Sequence, residues 1–186
     1  MATQKLNTVR INAGEWRSRL IKFPDAEGLR PTPERVRQTV FNWLGQDLTG
    51  LTCLDLFAGT GVMGFEALSR GAAAVTLVEK SLPAYKALMA NKQLLKAEHA
   101  QIMHQDALQF LNQNTQKFNL IFLDPPYNQA WLPKILPLLA AHLHAEGLIY
   151  AEAEYSIDSS LDFANNWQVI KQSKAGNVFY HLLKST

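Results

Sequence analysis

Leu120-Ile121-Phe122-Leu123 is a run of four apolar residues that stops abruptly at Asp124-Pro125-Pro126-Tyr127. Two consecutive prolines can neither donate to a β-ladder nor continue a helix, so the run reads as a buried central strand ending at Asp124. A carboxylate, free carbonyls and a phenol ring are thereby held at a strand tip, where open α/β sheets place their sites. The surrounding sequence extends that architecture. Strands are expected near 51–56, 74–79, 100–104, 118–123 and 147–152, with helices near 62–70, 81–95, 107–113 and 131–144. This alternation is the mark of a parallel sheet covered on both faces. Two further apolar runs, 167–173 and 177–183, flank Lys174-Ala175-Gly176-Asn177, a hairpin turn. If 167–173 runs parallel to the other strands, Lys171 and Lys174 emerge on the same side as Asp124, within reach of a substrate backbone. Surface solvation is the plainer reading of both lysines.

The front of the chain follows a different pattern. Residues 8–23 contain two β-prone runs around Asn12-Ala13-Gly14, consistent with a hairpin. Arg10, Arg17 and Arg19 interleave there with Ile11, Trp16 and Leu20, which suits a ribbon with one face on the protein and one on a polyanion. Pro24 to Pro31 reads as a loop. Thr32 can then cap a helix with Pro33 at its first position and an apolar stripe of Val36, Val40, Trp43 and Leu44. Arg35 and Arg37 fall off that stripe, as solvated residues or as phosphate ligands. Residues 1–44 hold eight Lys/Arg and four Asp/Glu, whereas the remainder holds ten and twelve, and six of the seven arginines lie in the first 37 residues. Arginine suits bidentate phosphate contact, so this asymmetry points towards nucleic acid, with a solvated face as the alternative.

The 186 residues, 47% of them apolar, suffice for one domain with a real core. The single cysteine, Cys53, excludes an internal disulfide and a cysteine-based zinc site. The five histidines show no metal spacing, and His142 and His144 fall on different faces of the expected helix, so no metal is expected. No apolar stretch reaches membrane-spanning length, and a cytoplasmic protein is the expectation.

After the first strand of the sheet comes Asp55-Leu56-Phe57-Ala58-Gly59-Thr60-Gly61-Val62-Met63-Gly64. Gly59, Gly61 and Gly64 match the dinucleotide fingerprint, and Glu79 lies 20 residues past Gly59, where an acid would meet a ribose. A nucleoside-containing ligand is implied. Asp55 distinguishes between two kinds, because it sits at the strand end close to where a pyrophosphate would lie. Two like unit charges about 5 Å apart repel by roughly 3 kcal/mol at an effective dielectric near 20. A ligand carrying an ammonium and a sulfonium is attracted instead, so Asp55 favours S-adenosylmethionine over NAD. Asp106, after the third strand, can accept an adenine amino group, cap the following helix, or both.

An exocyclic amino group on a nucleobase is a poor nucleophile because its lone pair is delocalised into the ring. The Asp124 carboxylate and the Pro125 carbonyl are two acceptors able to grip both amino hydrogens and aim the nitrogen lone pair at a methyl donor. Tyr127 can stack on the base. A buried turn in which Asp124 merely caps backbone amides is the plainer alternative.

Asp55 to Gly61, Glu79, Asp106 and Asp124 to Tyr127 resemble the successive motifs of class I S-adenosylmethionine-dependent amino-methyltransferases. More narrowly, Arg10 to Arg19, Arg30-Pro31-Thr32 with Arg35 to Arg37, and Asp55 to Gly61 resemble the RsmD family, over essentially the whole chain. The resemblance implies an α/β, Rossmann-like class I methyltransferase: a seven-stranded sheet, mostly parallel with an antiparallel last strand, plus an N-terminal β-hairpin and helix. Residues 1–44 are then a basic extension and 45–186 the S-adenosylmethionine-dependent methyltransferase domain. The implied reaction is methylation of guanine N2 in 16S rRNA of the small ribosomal subunit or its assembly intermediate, and a monomer is expected. Asp55, Phe57, Gly59, Gly61, Glu79 and Asp106 are the implied donor-binding residues, and Asp124, Pro125 and Tyr127 those that position guanine. Arg10, Arg17, Arg19, Arg30, Arg35 and Arg37 are the implied RNA contacts. The family's ribbon usually carries glycines where this chain has Ala13 and Ser18. Three other readings remain open: a DNA amino-methyltransferase, a non-catalytic rRNA-binding assembly factor with a vestigial donor pocket, and an NAD oxidoreductase. The first would need target-recognition sequence for which this chain has little room, and the last an evident second catalytic domain.

Overall fold

Period-two alternation sorts the apolar residues of the central strands onto two faces of one sheet. The computed structural model describes residues 5–158 and 160–186, so the first four residues of the 1–44 extension lie outside the described residues. The elements are β1 (Leu6–Arg10), β2 (Leu20–Pro24), α1 (Glu34–Trp43), β3 (Thr52–Asp55), α2 (Val62–Ser69), β4 (Ala74–Glu79) and α3 (Leu82–Leu95). Then follow β5 (Ala100–His104), α4 (Ala107–Gln113), β6 (Phe118–Leu123), α5 (Trp131–Leu139), β7 (Leu143–Ala153), β8 (Trp167–Ala175) and β9 (Val178–Ser185). The seven-stranded sheet has the order β5-β4-β3-β6-β7-β9-β8. Strands β3 to β7 pair in parallel, and β9 is antiparallel to both neighbours, so β8 runs with the first five. This is the class I methyltransferase arrangement expected, and the β8–β9 turn emerges at the edge of the sheet that carries Asp124.

On β6, Leu120 and Phe122 face a core shared with α1, α2 and the N-terminal ribbon, while Ile121 and Leu123 face one shared with α4 and α5. All four are essentially inaccessible. Fully burying a side chain of this size contributes about 1.5–3 kcal/mol, so the central strand alone anchors both layers. Chain order reverses between β3 and β6, the switch point where ligands enter such sheets. In that register Asp55 pairs with Phe122, which leaves Asp124 two residues beyond it on the adjacent strand.

The front end is built into this fold. Ribbon β1–β2 is antiparallel, from Leu6 opposite Pro24 to Arg10 opposite Leu20. Its connection runs over 11–19 rather than turning at Asn12-Ala13-Gly14, because Gly14 docks on the C-terminal end of α2. A Cβ on Gly14 would fall 1.7 Å from the Ser69 carbonyl oxygen, which accepts the Glu15 N–H at 2.8 Å. Asn91 of α3 completes the other side, accepting from Lys22 N and donating to Lys22 O. Helix α1 starts one residue later than expected, with Pro33 as its N-cap and no side-chain cap.

Arg37 departs from the sequence reading. It is 2% exposed, and its guanidinium donates to the carbonyls of Thr32 and Arg10 and to Glu66. Glu66, fully buried on α2, also accepts from Asn12 N, Ala13 N and Arg70. Arg37 is therefore a buried strut and is not placed to meet phosphate. The other departure is α5, which ends at Leu139 and passes through a 3₁₀ turn, Ala140–His142, into β7. Pairing of Leu143 with Phe118 takes the residues expected to prolong the helix, so His144 lies on a strand. Among the described residues no helix is long and apolar enough to cross a membrane, and no group of three His, Cys, Asp or Glu could hold a metal.

Candidate active site

The glycine loop links β3 to α2. Gly59 and Gly61 both have positive φ, +53° and +79°, where L side chains are disfavoured. At Gly61 a Cβ would lie 2.4 Å from Leu88 Cδ2 and 2.8 Å from Phe65 Cε2; at Gly59 it would lie 3.2 Å from Leu29 Cδ1. Gly61 therefore has no room for a side chain, and at Gly59 the positive φ and the Leu29 methyl both favour bare backbone. Leu29 also lines a cavity of about 540 Å³ beneath the 25–31 loop, together with Phe23, Asp25 and Arg30. Glu79, at the tip of β4, accepts from Gly59 N at 2.8 Å and Ser81 N at 2.6 Å. Each carboxylate oxygen keeps a further lone pair for a ribose hydroxyl.

Asp55 is 4% exposed and its Oδ2 accepts from Gly64 N at 3.1 Å, so the carboxylate also fastens the first turn of α2. Burial pushes its carboxyl up to about 7; the Gly64 amide opposes this and Glu79 repulsion adds to it. Asp106 caps α4, with Oδ1 accepting from Leu108 N and Gln109 N, while Oδ2 pairs with Lys80 at 3.4 Å. Phe57 packs edge-on against Trp131 at the start of α5, with centroids 5.3 Å apart. That contact links the glycine loop to the segment following Asp124.

Beyond the tip of β6, Pro125, Tyr127, Asn128, Trp131, Glu152 and Tyr155 line a cleft of about 30 Å³. Tyr127 is 43% exposed, leaving ring surface for a base, and its hydroxyl lies 3.5 Å from Glu152 Oε2. Asn128 and Ala130 both have positive φ, a strained backbone for non-glycine residues of the kind that clusters at functional sites. Asn128 N is held by Glu154 at 3.1 Å.

Two residues here escape the sequence reading. Leu123 of β6 pairs with Ala151 of β7, which sets Asp124 beside Glu152. Glu152 is 5% exposed and accepts a 2.5 Å hydrogen bond from the Tyr150 hydroxyl. Burial raises the Asp124 carboxyl well above the ordinary range, with repulsion from Glu152 and Asp55 adding to it. Burial also raises Glu152, opposed by its hydrogen bonds from Tyr150 and Tyr127. The signal available in the sequence is Tyr150-Ala151-Glu152-Ala153, an acid inside an apolar strand on the same face as a tyrosine.

Among the arginines, Arg10, Arg17, Arg19, Arg30 and Arg35 are exposed, while Arg37 is buried. Arg19 donates to Leu94 O at 2.7 Å and Arg10 to Ser18 O at 3.3 Å. Ser18, where the resembling family usually has glycine, sits at φ +69°. Lys174 is exposed at the end of β8, its ammonium 4.5 Å from the centroid of the Phe179 ring.

The family model described as conserved hypothetical protein 95 matches residues 9–184. Ribosomal RNA small subunit methyltransferase D of Escherichia coli K12 is 41% identical over 177 residues, covering 94% of this chain and 88% of that protein. Its Haemophilus influenzae namesake is also 41% identical, over 183 residues, covering 95% and 94%. Among solved structures, the Escherichia coli chain yhhF superposes with a TM-score of 0.85 at 36% identity, covering 96% of this chain and 98% of that one. A Thermus thermophilus 16S rRNA N2 methyltransferase, solved with AdoMet and guanosine, shares the fold at a TM-score of 0.77 and 18% identity. It covers all of this chain and 52% of that one.

Proposed function

The chain belongs to the family of the ribosomal RNA small subunit methyltransferase D proteins, and given that membership we propose that it transfers a methyl group from S-adenosylmethionine to the exocyclic N2 of a guanine in 16S rRNA. The observation that carries this reading is the adjacency of two strand tips: Asp55 with its glycine loop on β3, and Asp124-Pro125-Pro126-Tyr127 on neighbouring β6. A donor held by the first is presented to an amino group held by the second.

The donor-side residues fit S-adenosylmethionine. The bare backbone of Gly59 and Gly61 admits its methionine end, the buried Asp55 carboxylate faces its ammonium, Glu79 receives ribose hydroxyls, and Asp106 lies at the adenine rim. Phe57, braced by Trp131, walls the passage between the two halves. When bound, S-adenosylmethionine supplies an electrophilic methyl on sulfonium sulfur. The Asp124 carboxyl and the Pro125 carbonyl accept the two amino hydrogens, which concentrates the lone pair on nitrogen, and Tyr127 stacks on the base. The exposed arginines of the 1–44 extension, Arg10, Arg17, Arg19, Arg30 and Arg35, neutralise phosphates, while 45–186 carries the chemistry. We assign a cytoplasmic monomer acting on the small subunit or its assembly intermediate.

Labelled S-adenosylmethionine incubated with unmodified small subunits is the test. Label is expected in RNA as N2-methylguanosine, with the Asp124→Ala enzyme at least about 100-fold slower. If no label enters RNA, or if it enters equally with Asp124→Ala, the reading fails.

A further inference from the structure

Glu152 has no function in the clamp just described, yet its surroundings are costly to build. It is a carboxyl group 5% exposed on a central strand, and the parallel register of β6 and β7, with Leu123 opposite Ala151, sets it beside Asp124. Two carboxylates side by side in a site of low dielectric do not both stay ionised, so the pair holds one proton. The groups facing the pair are Tyr150 from β7, Tyr127 from the cleft loop and Asp55 from β3, while Tyr180 of β9 stands opposite Glu152 in the ladder. Among the described residues no Lys, Arg or His forms an ion pair with either carboxyl. Tyr150 and Tyr127 both donate to Glu152, which favours placing the shared proton on Asp124 and the charge on Glu152.

Resting on the methyl-transfer reading, we propose that Glu152 is the positioning residue behind Asp124 and the final acceptor of the proton released at the base nitrogen. The N2 lone pair forms a bond to the methyl carbon as the methyl–sulfur bond breaks, its electron pair remaining on sulfur. The methylated nitrogen is then cationic and must lose one proton. Asp124 takes that proton on the oxygen facing the base while its other oxygen passes the shared proton to Glu152. The pair begins with one proton and a single negative charge and ends neutral with two. The second proton leaves to solvent after product departs.

The test is single-turnover methylation of unmodified small subunits as a function of pH, with S-adenosylmethionine affinity measured in parallel as the check on folding. The wild-type rate is expected to fall as pH drops, through a titration above the ordinary carboxylate range. In Glu152→Gln the plateau rate should fall about 100-fold with donor affinity and RNA KM unchanged, the scale of one positioned general base. Its acid limb should move to lower pH, because the repulsion raising Asp124 is gone. Glu152→Asp should recover part of the rate. Tyr150→Phe, which keeps both carboxyls, should move the acid limb to higher pH because Glu152 loses a donor that lowers its pKa. A Glu152→Gln rate within about threefold of wild type, or an acid limb unmoved in both variants, overturns the proposal and leaves the methyl-transfer reading intact. If the wild-type enzyme places no methyl on N2, the functional reading itself has failed.

Discussion

Asp55 stands in two relations that oppose each other on one proton. Burial raises its carboxyl to about 7, so the folded protein holds that proton more tightly than the unfolded chain, whose aspartates titrate near 3.8. An acid shifted upward in this way favours the folded state most below the unfolded pKa, and that contribution is lost as pH rises from about 4 to about 7. A cationic ammonium placed beside Asp55 pulls the other way, favouring the ionised form. Donor affinity should therefore strengthen with rising pH, by about tenfold between pH 5.5 and 7, a window below the titration of the donor's own amino group. Asp55→Asn should bind more weakly at pH 7 and lose this dependence, while being the more stable protein at pH 8. Isothermal titration across that window and thermal melts of both proteins check it; an affinity independent of pH in wild type would remove Asp55 from the ammonium's surroundings. Gly61 is constrained differently, by Leu88 and Phe65 behind it, so its role in the loop is one of space rather than charge.

Two elements with similar arginine content behave in opposite ways. Ribbon β1–β2 and its 11–19 connection expose Arg10, Arg17 and Arg19, whereas α1 exposes Arg35 and buries Arg37 against Glu66. Arg17→Ala and Arg35→Ala should each weaken RNA binding and lower the slope of log affinity against log salt by about one, with donor affinity and melting temperature unchanged. Arg37→Ala leaves Glu66 short of a partner in a dry site, which costs about 3–5 kcal/mol and, at roughly 2–4 °C per kcal/mol, lowers Tm by about 10 °C. Salt-dependent binding and calorimetry on the three variants separate the classes; a shallower salt slope in Arg37→Ala without loss of Tm would place that residue on the RNA. Sequence reasoning does not distinguish Arg35 from Arg37, since both lie off the apolar stripe of α1. The difference arises because the end of β1 and helix α2 both reach Arg37, whose guanidinium donates to Arg10 O and to Glu66. By contrast, β4, β5 and β6 are legible to the residue and β3 within one at each end, because Asp124-Pro125-Pro126 and the glycine loop punctuate the sheet locally, whereas β7 begins at Leu143, four residues before the expected 147. The end of α5 is not legible, since Leu143 is drawn into a ladder by Phe118, a partner 25 positions earlier. Glu152 is inconspicuous in the sequence for a related reason: an acid in an apolar strand stands out only once its neighbour on the next strand is known to be Asp124.

At the scale of the molecule, the charge asymmetry suggests an accessory front end attached to a complete catalytic unit, and residues 1–44 do carry the exposed arginines. Packing ties the two together. Ile11, Trp16, Ile21, Val36, Val40 and Phe41 belong to one continuous core with Cys53, Leu77, Leu120 and Phe122 of the sheet. Glu66, at the centre of that contact, lies on α2, the helix that opens from the glycine loop, so the arginine-bearing ribbon and the glycine loop share one helix as their support. A chain of residues 45–186 would expose the sheet face that α1 covers and leave Glu66 with Arg70 as its remaining cationic partner. It should therefore express as an aggregating protein, or melt at least about 10 °C below the full chain, and its donor affinity should fall although every donor-side residue is retained. Supplying residues 1–44 in trans should not restore it, because a ribbon and a single helix have no core of their own. A 45–186 fragment that melts within a few degrees of the full chain and binds S-adenosylmethionine equally well would show the opposite: an autonomous catalytic domain carrying a detachable RNA-binding arm.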